Sequence, residues 1–158
     1  MPGNAKWVVD QNWARLINQA DLNALAAGST VLSSVADITN GGSNDLFMDI
    51  SVRLIGITSF TGGTVVLCPA YLLDDGLTYG DGSMTSGSRI TRLLQTAPAY
   101  SVVAPGVAGT TCNGYIGGIP LDPGSFRFAL GNNLPQALST TSAQCNVFYR
   151  TRYLNLNF

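Results

Sequence analysis

The sequence predicts an all-β chain: an antiparallel β-sandwich, jelly-roll-like, with an N-terminal arm or short helix. Three observations predict it. Short apolar runs alternate with polar residues at the period of two that a half-buried strand requires. Glycine, proline and asparagine punctuate these runs at regular intervals. No strand–glycine–helix unit of an α/β fold is present. At 158 residues the chain is about one domain and long enough to bury a core.

Residues 12–28 place Trp13, Leu16, Ile17, Ala20 and Ala24 at helical spacing, with Asn12 suited to cap the start and Gly28 to end it. Residues 1–28 are therefore expected as an arm or short helix, and 29–158 as the sandwich. From there the pattern turns to strand-like runs over 30–38, 46–57, 64–73, 89–94, 100–103, 112–119, 125–130 and 144–156. In the second run Phe47, Asp49, Ser51 and Arg53 oppose Met48, Ile50, Val52 and Leu54, so one face goes in and the other out. In the seventh, Phe126, Phe128 and Leu130 form the apolar set. In the last, Val147, Tyr149, Thr151 and Tyr153 alternate with Phe148, Arg150, Arg152 and Leu154, and both faces are partly covered. Asn40-Gly-Gly, Thr61-Gly-Gly, Asp74-Asp-Gly, Gly80-Asp-Gly, Pro105-Gly, Asp122-Pro-Gly and Gly131-Asn-Asn supply the turns. The longest loop, 77–88, holds Tyr79 and Met84 and is the natural place for outside contacts.

Charged residues make up 11% of the chain, against roughly 25% in an average soluble domain, and the net charge is −1. Neither a basic nucleic-acid footprint nor attraction to an anionic membrane is expected from that balance. Every acidic residue is Asp, His is absent and Lys6 is the only lysine, so groups tuned for proton transfer near neutral pH are scarce and no enzyme is expected. Solubility must come from Ser, Thr, Asn and Gln. Such a surface repels neighbours poorly, which suits a chain that sits against other copies or partners; a neutral secreted domain has the same composition. The N-terminus shows no cationic leader with an apolar core, and no apolar run approaches the roughly 20 residues of a membrane span.

Cys68, Cys112 and Cys145 show no CxxC spacing and have no His to complete a zinc site, so they are expected as buried thiols; spacing alone leaves a Cys68–Cys145 or Cys112–Cys145 bridge open. Asp74, Asp75 and Asp81 resemble a hard-cation loop but lack EF-hand spacing and a bidentate Glu, and turn-forming Asp residues explain the same letters. Neither a metal nor a cofactor is expected. Sugar hydrolysis needs a proton donor with a raised pKa in a cleft, and nothing near this loop suggests enclosure. Ser33, Ser34, Ser139 and the thiols lack a His to act as base. The glycines of 114–118 match neither phosphate-cradling motif and read as strand bends. Trp7 and Trp13, two large rings on a short segment, are expected either to dock on a neighbouring subunit or to pack back on their own sandwich.

The order of three segments carries a likeness: Ala70-Tyr-Leu-Leu-Asp-Asp-Gly-Leu-Thr-Tyr-Gly-Asp-Gly, then Gly118-Ile-Pro-Leu-Asp-Pro-Gly-Ser-Phe-Arg-Phe-Ala-Leu-Gly-Asn-Asn, then Phe148-Tyr-Arg-Thr-Arg-Tyr. Over residues 29–153 the chain resembles the capsid decoration, or cement, proteins of tailed bacteriophages that have jelly-roll-type folds. The segment with Trp7 and Trp13 lies outside the likeness. The resemblance implies a non-enzymatic protein that binds the outer surface of the capsid across junctions of the major capsid protein. A homodimer or homotrimer at symmetry axes is expected, and from the charge balance no nucleic acid or membrane partner. Localisation would be the virion exterior, after folding in the reducing host cytoplasm. The expected interface is Trp7, Trp13, Tyr79, Met84, Arg150 and Arg152, the two arginines facing carboxylates of a partner or of the same sheet. The alternative is a glycan- or host-receptor-binding module of a spike or tail, with loop 77–88, Tyr79 in it, and exposed aromatics from a set that includes Trp7, Trp13 and Tyr115 in a shallow groove.

Overall fold

The computed structural model describes residues 5–9, 12–40, 45–55, 62–72, 79, 89–90, 100–103, 111–141 and 144–156. In order, the elements are β1 (Ala5–Val9), β2 (Ala14–Ile17), the one-turn helix α1 (Gln19–Leu22), β3 (Ser29–Leu32), β4 (Ile38–Asn40) and β5 (Phe47–Leu54). Then follow β6 (Thr64–Tyr71), β7 (Arg89–Ile90), β8 (Tyr100–Val103), β9 (Cys112–Pro120), β10 (Gly124–Asn132) and β11 (Cys145–Leu156). Every pairing is antiparallel. One sheet runs β1-β11-β5-β9, with β2 also on β11; the other runs β7-β3-β10-β6-β8, with β4 also on β10.

Two of these strands are interrupted. β1 and β2 lie in line along β11, from Ala5↔Leu156 to Ile17↔Val147. β3 and β4 likewise lie in line along β10, from Ser29↔Asn132 to Ile38↔Phe126 and Asn40↔Gly124. With each in-line pair taken as one strand, and the two-residue β7 set aside, the first strand pairs with the last and the second with the last but one. The third, β5, pairs with β9, and β6 pairs with β8. A long hairpin rolled over on itself in this way is a jelly roll of two facing sheets.

The N-terminal residues enter this roll as its first strand. The helix expected across 12–28 is a strand, a single helical turn and a loop. Asn18, not Asn12, caps the turn by accepting from the Ala20 N–H, and Ala24 at φ 52° breaks the helix after Leu22. The misleading spacing has a specific source. Ile17 faces Val147 and Arg15 faces Phe148, so Leu16 is the extra residue of a β-bulge. A bulge turns two consecutive residues inward, and the adjacent buried pair Leu16 and Ile17 mimics a helical stripe. Leu16, Ile17, Leu22 and Leu25 are buried with Met48, Ile50, Val52, Leu54, Val65, Leu67, Phe126, Phe128, Leu130 and Val147 in one core.

All three cysteines are buried thiols. Cys112 and Cys145 pair with Leu54 from opposite sides, so they stand two strand spacings apart, about 9–10 Å, beyond the roughly 7 Å limit for a bridge. Cys68 pairs with Ala129 in the other sheet. Burial pushes the Cys112 and Cys145 thiols above their usual pKa.

Candidate functional site: the outer face of the β1–β11–β5–β9 sheet

Alternation in β5 and β11 sends Phe47, Asp49, Ser51 and Arg53, and with them Asn146, Phe148, Arg150 and Arg152, to the outer face. Register sets them in rows: Arg152 beside Phe47, Arg150 beside Asp49, Phe148 beside Ser51, Asn146 beside Arg53. The centre of this face is Asp49, which is 0% exposed. Arg150 Nε and Arg152 each reach its carboxylate at 3.1 Å, the Gly118 N–H donates to it at 3.0 Å, and the Tyr115 hydroxyl contacts it. The Gly118 bond exists because β9 is bulged here. Ile119 faces Met48 and Ile116 faces Ile50, leaving two residues opposite Asp49, with Gly118 at φ 73° in the left-handed region that favours glycine. Burial by itself raises the pKa of Asp49, but these donors and guanidinium charges outweigh it and hold the carboxyl below its usual range.

The arginines in turn hold the aromatics. Arg150 lies 4.8 Å from the centre of the Trp13 ring and Arg152 5.4 Å from that of Trp7. Trp7 meets Phe47 edge-on at 5.2 Å and Trp13 meets Tyr115 at 6.5 Å. Arg15 covers Phe148 at 5.1 Å. Among the described residues, the exposed large hydrophobics are Trp7, Val9, Trp13, Leu46 and Tyr115, all on or beside this sheet. An open groove of about 420 Å³ continues the face, lined by Trp13, Ser51, Arg53, Asn146 and Phe148. Arg15, Arg53, Arg150 and Arg152 against Asp49 give the described part of this face a formal +3, on a chain of net −1.

Four of the six residues expected at an interface thus converge: Trp7, Trp13, Arg150 and Arg152. The arginines pair within their own sheet, through Asp49. Tyr79 belongs elsewhere. It is buried at 6% exposure against Leu32 and Ala129 on the other sheet, donates its hydroxyl to Asp37 at 2.6 Å and lies under Arg127, which also binds Asp37 and the Ser33 carbonyl. Burial and the bond to Asp37 push its pKa up to about 12. It therefore offers no ring to an outside sugar, contrary to the expectation for Tyr79; the rest of loop 77–88 lies outside the described residues. Met84, Asp74, Asp75 and Asp81 lie outside the described residues. Ser33 donates to the Leu16 carbonyl and Ser34 accepts from Asn18, so both hydroxyls serve local structure. Among the described residues no three His, Cys, Asp or Glu converge as a metal site, and no helix is long and apolar enough to cross a membrane.

Sequence reasoning missed Asp49, Phe47, Arg53 and Arg15. Asp49 reads as a solvated outward residue, and its role depends on a register that alternation alone does not fix. The fold and this face define a jelly-roll sandwich with one aromatic, cationic sheet surface. Compared with protein-family models, curated proteins and solved structures, the chain finds no significant match.

Proposed function

We propose that this protein is a structural component of a phage virion, binding the outside of the capsid across junctions of the major capsid protein and stabilising the shell. The observation that carries the reading is the gathering of half-exposed Trp7, Val9 and Leu46 beside Phe47 and Arg152 at one end of the outer face. Tryptophan and arginine dominate the energetics of protein interfaces. Here their side chains are fixed in advance through Asp49, so docking costs little ordering entropy. The weakly charged remainder leaves few ions to desolvate. A homodimer or homotrimer presents two or three such ends at once, and repetition around a closed shell sums modest contacts into a strong clamp. Binding only the assembled state stabilises it by mass action.

The test adds the purified protein to expanded capsids and images them by electron cryo-microscopy, with heat disruption read in parallel. Hundreds of copies at fixed positions and a higher disruption temperature are expected. Trp7→Ala, at the centre of the docking end, should weaken the affinity for capsids roughly 30-fold, the effect of a ~2 kcal/mol anchor. Bare shells that open at the same temperature with and without the protein overturn the reading.

A further inference from the structure

We infer that the groove beside Trp13 binds an acidic saccharide, a sugar bearing a carboxylate, separately from the docking end of the same face. Its volume of about 420 Å³ falls within the ~300–1,000 Å³ of small-ligand sites. Trp13, 42% exposed, supplies a flat apolar surface for the C–H face of a sugar ring, and Phe148, one side of which Arg15 covers, lines the groove beside it. Arg53 is exposed and, among the described residues, has no ion pair. Its planar fork is suited to hold a carboxylate through two parallel bonds. Ser51 adds a hydroxyl, and Gln19 orients the Asn146 amide by donating to its Oδ1 at 2.7 Å.

Charge selects the acid. The described part of the face carries a formal +3, and its one carboxylate, Asp49, is fully buried between two arginines and does not confront an incoming anion. Topology favours a sugar over an acidic peptide. The groove lies over β5 and β11, adjacent strands paired from Cys145↔Leu54 to Arg152↔Phe47, with β9 on the far side of β5 and β1 and β2 on the far side of β11. An extended peptide therefore finds no open strand edge to add to, whereas a sugar brings its own ring and hydroxyls. Phe47 and Arg53 are six residues apart on β5, roughly 20 Å at strand rise, so the groove and the docking end are distinct.

The test titrates the purified full chain with 3′-sialyllactose, lactose and a hexaglutamate peptide, following the Trp13 indole N–H by NMR. Saturable sialyllactose binding is expected, with lactose at least tenfold weaker. Arg53→Gln, with an unchanged thermal midpoint, should weaken sialyllactose at least tenfold, about 1.4 kcal/mol, and Trp7→Ala should leave it unchanged. Equal affinity for lactose, indifference to Arg53→Gln, or displacement of sialyllactose by hexaglutamate at similar concentration overturns the inference. Because no capsid is present, none of these results bears on shell binding.

Discussion

Asp49 shows how much one side chain can organise. Its carboxylate sits at full burial on the nominally solvent side of a sheet, which is tolerable only because two guanidiniums, a backbone N–H and a phenol satisfy it. The pKa of Asp49 is depressed in the fold, so its contribution to stability is present above the ordinary carboxylate value of 3.8 and is lost as pH falls through the lower folded value. Asp49→Asn removes the charge and keeps the shape. Bonds to charged partners are worth roughly 1.5–3 kcal/mol each, but Arg150 and Arg152 are 31% and 29% exposed and can rehydrate. A net loss of about 2 kcal/mol at pH 7 is therefore expected. In urea titrations the gap between wild type and variant should be widest near neutral pH and close below about pH 4. Tryptophan fluorescence should change in the folded variant, because Trp7 and Trp13 rest on the released arginines. A gap that stays constant down to pH 2 contradicts this account.

At the level of elements, both interrupted strands break opposite an arginine of the neighbouring strand. The break between β1 and β2 brings Trp13 against Arg150, and the break between β3 and β4 holds Ser33 and Asp37 against Arg127. Alternation made β5, β10 and β11 legible in the sequence, with the inward sets Met48-Ile50-Val52-Leu54 and Phe126-Phe128-Leu130 appearing as read. The bulges were not legible. Leu16 in β2 and Gly118 in β9 shift register by one residue through pairing with distant strands, and nothing local announces that partner. For the same reason Arg150 and Arg152 could be placed on one face from the sequence, while their shared carboxylate could not. Gly114 gives an element-level test. A Cβ there would lie 2.3 Å and 2.6 Å from the two methyls of Val102 and 3.0 Å from its Cβ, where β8 meets β9. A β-branched residue cannot swing both methyls away, so Gly114→Ala should cost about 1–3 kcal/mol in urea unfolding. Adding Val102→Ala should recover part of the loss, a coupling that simple loss of glycine flexibility does not produce.

For the molecule as a whole, the decisive question is whether residues 1–17 are an appendage or part of the closure. An arm that merely reaches a neighbour could be cut away and leave a folded sandwich. The jelly-roll pairing says otherwise, since β1 and β2 cover one edge of β11 along most of its length, and Leu16 and Ile17 are 1% and 0% exposed in the shared core. Cutting them away bares the backbone of a long strand and removes two buried aliphatic side chains, each worth roughly 2–5 kcal/mol. A domain of this size has only about 5–15 kcal/mol in total. Deleting residues 1–17 should therefore yield a chain that binds ANS, aggregates and shows no cooperative thermal transition. Trp7→Ala, which removes a half-exposed ring and no core contact, should keep its transition. The contrast also decides how any loss of capsid binding is read: loss in the deletion reports unfolding, and loss in Trp7→Ala reports the docking end. A deletion that melts cooperatively near the wild-type midpoint would return these residues to the status of an arm, and the first strand of the roll with them.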